Sequence, residues 1–511
     1  VIMESRSKSF YLLVSGLCLC ASAATAQSNS IDPRTVLPAA CIAPSELTGG
    51  LDFTPDSSYL RLNSAGNEAY AAIDGERMKR LVEQQAEIAR RYRQAGNQYW
   101  GRIIGTSADR ETADWMMGQL RQSAVEDVRL DSIPLPSQWL PQSWQLTVEV
   151  DGKASELTSA WPAYGSVGTS GADEKLELID VGLGMVTDFQ GRNVRGKAVV
   201  LHSIATSSTV FNSVRRIGAL ERAEEAGAAA IFIVLELPGN LQTAFYDVGT
   251  SVPTFSIGSE DGALLQSLLT DAAMTESVEV DMQMEVNYIE GLNTSSVRGE
   301  VPAASPDAEK IIIVAHRDAY FEGAADNASG VATALELMRY FAQIPKAERK
   351  RTVEIIGTPG HHNIARTGFS WLYDNRESIL DNAVLLINAE HTAHALIDRF
   401  GDDLCSTNST GPFSWRINGS NKLADITLQT FDEFGIPRWA ETGGPVGEIM
   451  TIADLVPSIV LMHAGVLLHT NIETTEAIPA TSLAATTRAY AKIIEQVNSM
   501  SLLELTQRNE K

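Results

Sequence analysis

Cysteine is scarce in this chain: Cys18, Cys20, Cys41 and Cys405 are the four in 511 residues, too few to build a disulfide framework in place of a hydrophobic core. Basic residues are in deficit as well, 40 Lys and Arg against 64 Asp and Glu. The resulting formal charge of −24 repels a phosphate backbone, so nucleic acid is not an expected partner. Long apolar runs are missing; residues 10–20 come nearest and are too short to span a bilayer. What remains is 44% hydrophobic and 20% charged, which excludes a disordered or collagen-like chain, and the length gives room for about two to three domains.

The short apolar run follows Arg6 and Lys8 and is followed by Ala24-Thr25-Ala26. Charged start, brief apolar stretch and small-residue exit are the pattern of a secretory signal, here of bacterial type and expected over residues 1–26. The product is expected to be periplasmic or secreted, with no stable membrane anchor once the signal is removed. Cys41 and Cys405 remain in that product, either as a bridge in an oxidising compartment or as two free thiols.

Apolar residues at helical spacing predict helices over 74–95 and 108–123, followed by a strand over 128–133. Pro134, Pro136 and Pro141 then break the pattern and suggest a boundary near residue 135. Residues 136–285 read as short strands with one good helix, the strands at 198–202, 230–234 and 254–257 and the helix at 220–226. From about residue 286 the strands become continuous apolar runs, as in a parallel sheet buried on both faces. Residues 311–314 run into His316 and Asp318, 353–356 into His361 and His362, 384–387 into Glu390, and 459–462 towards His463 and His469. An open parallel sheet gathers its functional groups beyond the carboxyl ends of its strands. Ligand-type side chains after four different strands therefore predict a metal site.

The stretch Ala315-His316-Arg317-Asp318-Ala319-Tyr320, then Gly323-Ala324-Ala325-Asp326-Asn327-Ala328-Ser329-Gly330, resembles the co-catalytic dizinc exopeptidases, a family that includes aminopeptidases, glutamate carboxypeptidases and the transferrin receptor. Asn388-Ala389-Glu390 and Leu468-His469-Thr470-Asn471-Ile472-Glu473-Thr474 support the likeness. In the middle segment, residues 194–201, 223–230 and 252–257 taken in order resemble a protease-associated domain. The resemblance implies an α/β fold, a mixed and largely parallel sheet flanked by helices. Its peptidase part would be formed by 27–135 and 286–511, with a small α/β protease-associated domain inserted at 136–285.

The resemblance also implies two zinc ions. His316 and Glu390 would hold one, His362 and His469 the other, and Asp326 would bridge both, since one carboxylate spans two cations about 3.5–4 Å apart. Asp318 would accept the second N–H of His316 and fix its tautomer. A cis peptide bond between Asp326 and Asn327 is implied as well. Peptides or other small amides would be the substrates.

Two departures bear on activity. Where the family carries two consecutive glutamates, a general base and a ligand, this chain has His361 and His362. Imidazole serves in either role, so His362 stays in the ligand set and His361 is the candidate base. Only Asp326 and Glu390 would then offset two dications, which implies a strongly positive centre. Leu468 stands where the carboxypeptidase branch has a tyrosine that steadies the oxyanion, leaving Arg317 or a backbone N–H as substitutes. His391, His394 and His463 are read as supporting or surface residues. Two functions stay open, an exported metal-dependent peptide or amide hydrolase and a catalytically inactive relative that binds or scaffolds; glutaminyl cyclisation is a third.

Overall fold

Lys310–His316 is a strand made of Lys-Ile-Ile-Ile-Val-Ala-His, with every residue after the first buried. Its side chains alternate between faces. Ile311, Ile313 and Ala315 enter one apolar core with Val331, Leu335 and Met338, while Ile312 and Val314 enter another with Leu372, Ile379 and Ile452. A strand that is apolar on both sides belongs inside a sheet covered on both faces, and this one lies in the middle of eight. The computed structural model describes residues 41–42 and 66–507 apart from 151, 170–173, 206–211, 247, 273–276, 364, 401–402 and 464. The expected signal segment, 1–26, lies outside them. No helix among the described residues is long and apolar enough to cross a membrane.

Across that sheet the strands run Arg438–Glu441, Phe413–Asn418, Ser458–Met462, Ala383–Ala389, Lys310–His316, Thr352–Thr358, Asn293–Val301 and Glu126–Pro134. The four from Ser458–Met462 to Thr352–Thr358 are mutually parallel, and antiparallel strands close both flanks. All four parallel strands consequently end on one edge. Helices Gly75–Gln94, Gly330–Ala342 and Ala480–Val497 pack on the first face. Gly330 opens its helix against strand Ala383–Ala389 so closely that a side chain there would collide with the Ala389 carbonyl.

A second eight-stranded sheet is built from residues 138–289, in the order Lys153–Glu156, Gln138–Val150, Glu279–Ile289, Glu174–Asp180, Ala198–Ser203, Ala230–Leu235, Thr254–Ile257 and Trp161–Pro162. Two expectations need correction. The proline-broken stretch is a 13-residue strand, Gln138–Val150, and the helix at Ala219–Glu225 is joined by a longer one, Ser259–Ala272. Pro141 is tolerated because it sits at a register shift opposite Val286, where the ladder is already irregular. Strand Glu279–Ile289 also runs across the boundary expected at 285. The strand Cys41–Ile42 sets Cys41 opposite Cys405, and Cys405 is disulfide-bonded.

Within this second sheet His202 lies between two carboxylates, 3.1 Å from Asp180 through Nε2 and 2.7 Å from Glu236 through Nδ1. The Asp180 contact leads in raising its pKa to about 9, against burial and with help from Glu236. A raised folded-state pKa stabilises below the unfolded value near 6.5, and the contribution is lost as pH rises through about 9. We expect the denaturation midpoint to fall between about pH 6 and pH 9.5 by the equivalent of about 1–3 kcal/mol. His202→Ala should flatten that difference, and a pH dependence unchanged in the variant would remove His202 as its source.

Candidate metal centre

Seven of the eight histidines, all but His202, fall between residues 316 and 469, and the common edge of the parallel strands draws them together. His316 ends strand Lys310–His316, His361 and His362 follow Thr352–Thr358, and Glu390 and His391 follow Ala383–Ala389. Asp326 sits in the turn Ala324–Ser329 that precedes helix Gly330–Ala342, and the Asp326–Asn327 peptide bond is cis. Asn327 ties the strand ends to one another. Its Nδ2 donates to the carbonyls of His316 and Ala389, and its Oδ1 accepts from the N–H groups of Gly330 and His391.

The two oxygens of Asp326 divide four imidazoles into pairs. Oδ1 lies 3.1 Å from Nε2 of both His316 and His391, and Oδ2 lies 3.1 Å from Nε2 of His362 and 2.9 Å from that of His469. Each ring is turned the same way by what holds its other nitrogen. Nδ1 donates to the Asp318 carbonyl in His316, to the Asp318 carboxylate in His362, to the His463 carbonyl in His391 and to the Ala244 carbonyl in His469. With Nδ1 donating in all four, every Nε2 faces Asp326, where it can carry a metal ion or a proton.

That arrangement fits metal ions. His316 Nε2, His391 Nε2 and Asp326 Oδ1 are buried without a hydrogen-bond partner, although each Nε2 lies 3.1 Å from Oδ1. His362 Nε2 and His469 Nε2 approach to 3.1 Å beside Asp326 Oδ2, close enough to share one ion with it. A cation in each group would satisfy all of these atoms at once.

Ionisation points the same way. Burial alone would lower the pKa of His362, but Asp326 and Asp318 outweigh it and lift it to about 9. Burial likewise opposes a charge on His316, yet Asp318 and Asp326 hold it well above the ordinary value. Burial pushes the carboxyls of Glu448 and Glu473 up to about 8. Cations bound at this centre would compete with those protons.

Asp318 is placed differently from the expectation. Its Oδ2 accepts from both the backbone N–H and Nδ1 of His362, at 2.9 and 3.0 Å, and its Oδ1 accepts from the His361 N–H at 3.0 Å. The carboxylate stays 3.6 Å from His316 Nδ1, which meets the Asp318 carbonyl instead. Asp318 therefore fixes the His361-His362 turn, because that turn crosses directly over it. Glu390 is also partly engaged, accepting through Oε2 from Asn388 Nδ2 and, at 2.6 Å, from the Glu448 N–H. Its other oxygen lies 4.0 Å from His391 Nε2.

Four further residues were not legible in the sequence. His391 reaches Asp326 because a positive φ of 48° turns it back into the centre. Glu473 accepts from the N–H groups of Ala325 and Asp326 through one oxygen and of His469 through the other, so one carboxylate grips both halves of the site. Glu448 lies 2.8 Å from His361 Nδ1. Tyr246 comes from the second sheet's loops: Ala244 donates to the His469 carbonyl and Asn471 to that of Gln242. Those bonds set the Tyr246 ring parallel to His362 at 5.8 Å and edge-on to His469 at 4.8 Å. With Asp318, Asp326 and Glu390 the centre has five buried carboxyl groups, against the two counted from the sequence.

A cavity of about 600 Å³ opens beside the centre, lined by His361, Glu390, His391 and Tyr246 and by an apolar wall that includes Phe369, Met450, Met462 and Leu468. Arg317 does not reach it; its buried guanidinium bonds Asp109, Thr294 and the Ser295 carbonyl. His394 and His463 pack against each other with centroids 3.7 Å apart and planes 42° from parallel, and neither is among the groups paired on Asp326.

Residues 296–391 match the sequence profile of peptidase family M28, a span that holds every ligand candidate except His469. Among solved structures the chain is similar to BSAP, a zinc aminopeptidase from Bacillus subtilis, with a TM-score of 0.61 at 17% identity over 85% of this chain and 98% of that one. It is similar also to a peptidase M28 precursor from Shewanella amazonensis SB2B, with a TM-score of 0.62 at 18% identity over 86% and 100%. For an aminopeptidase from Aneurinibacillus sp. strain AM-1 the TM-score is 0.54 at 17% identity over 84% and 96%. The minor extracellular protease Vpr of Bacillus subtilis is 29% identical over 97 residues, which are 19% of this chain and 11% of that relative's length. Residues 296–391 thus carry the sequence pattern of peptidase family M28, and the chain has the fold of the zinc aminopeptidases.

Proposed function

We propose that the protein is an exported, metal-dependent hydrolase of peptide or other amide bonds, cleaving next to a chain terminus seated in the cavity beside Asp326. The observation that carries this reading is the set of four Nε2 atoms arranged in pairs on the two oxygens of Asp326. His316, His391 and Asp326 would hold one zinc ion, with Glu390 beside them, and His362, His469 and Asp326 the other. Bound there, such ions supply Lewis acidity and ease the deprotonation of water. The disulfide at Cys405 and the signal pattern at 1–26 support export.

The remaining chemistry falls to side chains that line the cavity. His361 accepts a proton from the attacking water and returns it to the departing amine, so water adds across the C–N bond to give a carboxylate and an amine. Tyr246 donates its hydroxyl to the oxygen on which negative charge develops, the role left open by Leu468. The apolar wall receives a non-polar side chain of the terminal residue. Tyr246→Phe should therefore lower kcat by about 10²-fold with KM and zinc content little changed. Full kcat in that variant would remove the hydroxyl from the mechanism.

Zinc per chain by elemental analysis, combined with hydrolysis of an aminoacyl and peptide panel with and without chelator, tests the whole reading. We expect hydrolysis that the chelator abolishes and zinc restores. A zinc-loaded chain without such hydrolysis would establish the alternative, a binding or scaffolding protein, which the histidine at position 361 favours.

A further inference from the structure

Glu448 lies in the loop between strands Arg438–Glu441 and Ser458–Met462, far in sequence from every strand end that carries a ligand candidate. Its side chain is completely buried, and Oε2 stands 2.8 Å from His361 Nδ1. The carboxyl group is confined: a side chain at Gly368 would collide with Oε1, and the Glu448 N–H is tied to Glu390 at 2.6 Å. One at Gly447, where φ is +73°, would collide with Glu390 and Asn388.

The ring it meets is confined as well. The His361 N–H donates to Asp318, the imidazole stacks on His316 with centroids 4.2 Å apart and planes 19° from parallel, and Phe369 lies at 5.0 Å. With Nδ1 taken up by Glu448, Nε2 is the nitrogen left for the cavity that His361 lines.

We propose that Glu448, in its ionised form, is the positioning residue for His361, accepting the Nδ1–H and so presenting an unprotonated Nε2 to the substrate. This rests on reading His361 as the base, and it replaces a lone carboxylate base by an imidazole with a carboxylate behind it. The hydrogen bond does two things that a packing contact does not: it selects one of two tautomers, and it fixes the ring's rotation about Cβ–Cγ.

The test combines kinetics with ring tautomer. For Glu448→Ala we expect kcat to fall about 10–10²-fold, with KM within about threefold and zinc content unchanged. Glu448→Gln should recover most of that loss, since its amide oxygen accepts the same bond. In a His361→Ala background Glu448→Ala should add no further loss, because both act through one ring. A ¹⁵N–¹H correlation spectrum of the zinc-loaded wild type, with the His361 signals identified by their loss in His361→Ala, should show the proton on Nδ1.

A proton on Nε2 would overturn the proposal. So would a loss from Glu448→Ala that persists in the His361→Ala background. Should His361→Ala itself leave kcat unchanged, the base reading fails separately, and the tautomer still decides whether Glu448 governs the ring.

Discussion

Asp326→Ala is expected to remove both zinc ions, not one. Each carboxylate oxygen completes a different imidazole pair, so truncation strips both positions of the anionic ligand they share. The four imidazoles that remain are neutral, and Glu390 with its engaged Oε2 offers the nearest replacement charge to one position only. The turn itself should survive, because Glu473 holds it through the backbone N–H groups of Ala325 and Asp326, which alanine keeps. Elemental analysis should read about two zinc ions per wild-type chain and about none in the variant. Zinc at 100 times its dissociation constant should stabilise the wild type by about 2.7 kcal/mol against unfolding and the variant not at all. Two ions retained in Asp326→Ala would sink the shared-carboxylate assignment.

Much of this centre is legible in the sequence because a parallel sheet converts local pattern into global position. An apolar run such as Ile311-Ile312-Ile313-Val314 states that its strand is buried on both faces. Four such runs, each ending in histidine or glutamate, must deliver those groups to one edge. The strand ends grouped His316, Asp318, His361, His362, Glu390, His463 and His469, and the family resemblance singled out the ligands among them and added Asp326. The fold's second sheet was less legible where local chemistry misleads: Pro141 argues against a strand, yet a register shift accommodates it within Gln138–Val150.

The residues that escaped share a different property. His391 follows Glu390 directly, and in a regular strand it would point to the opposite face; only the left-handed backbone there reverses it. Tyr246 and Glu448 arrive on loops whose paths depend on contacts between elements, the first on the bridge between Thr243 and Thr470, the second on the close approach of Gly447 to Glu390. Neither carries a periodic signal. The hydrogen bond of Asp318 was misassigned for a related reason, since nothing in the spacing of residues 316 and 318 tells that the 361–362 turn passes over them.

Those unseen residues alter what should follow from changing His361. His361→Ala is expected to lower turnover by about 10²–10⁴-fold with zinc content nearly unchanged, the usual contribution of base catalysis. From sequence alone, His361→Glu looks like a simple return to the family's glutamate, preserving or raising activity. In the folded chain a glutamate there would face the Glu448 carboxyl, which now lies 2.8 Å from the imidazole it would replace. Two buried carboxylates at that distance do not both ionise, so one keeps a proton and the new base is blunted. His361→Glu alone should therefore stay well below wild type, while His361→Glu with Glu448→Gln, which removes the competing charge and keeps a hydrogen-bond partner, should recover activity. Steady-state kcat for the four proteins on one peptide substrate decides the matter. Equal activity of the single and double variants would show that Glu448 exerts no charge effect at position 361, and full activity in His361→Ala would show that the proton is taken elsewhere.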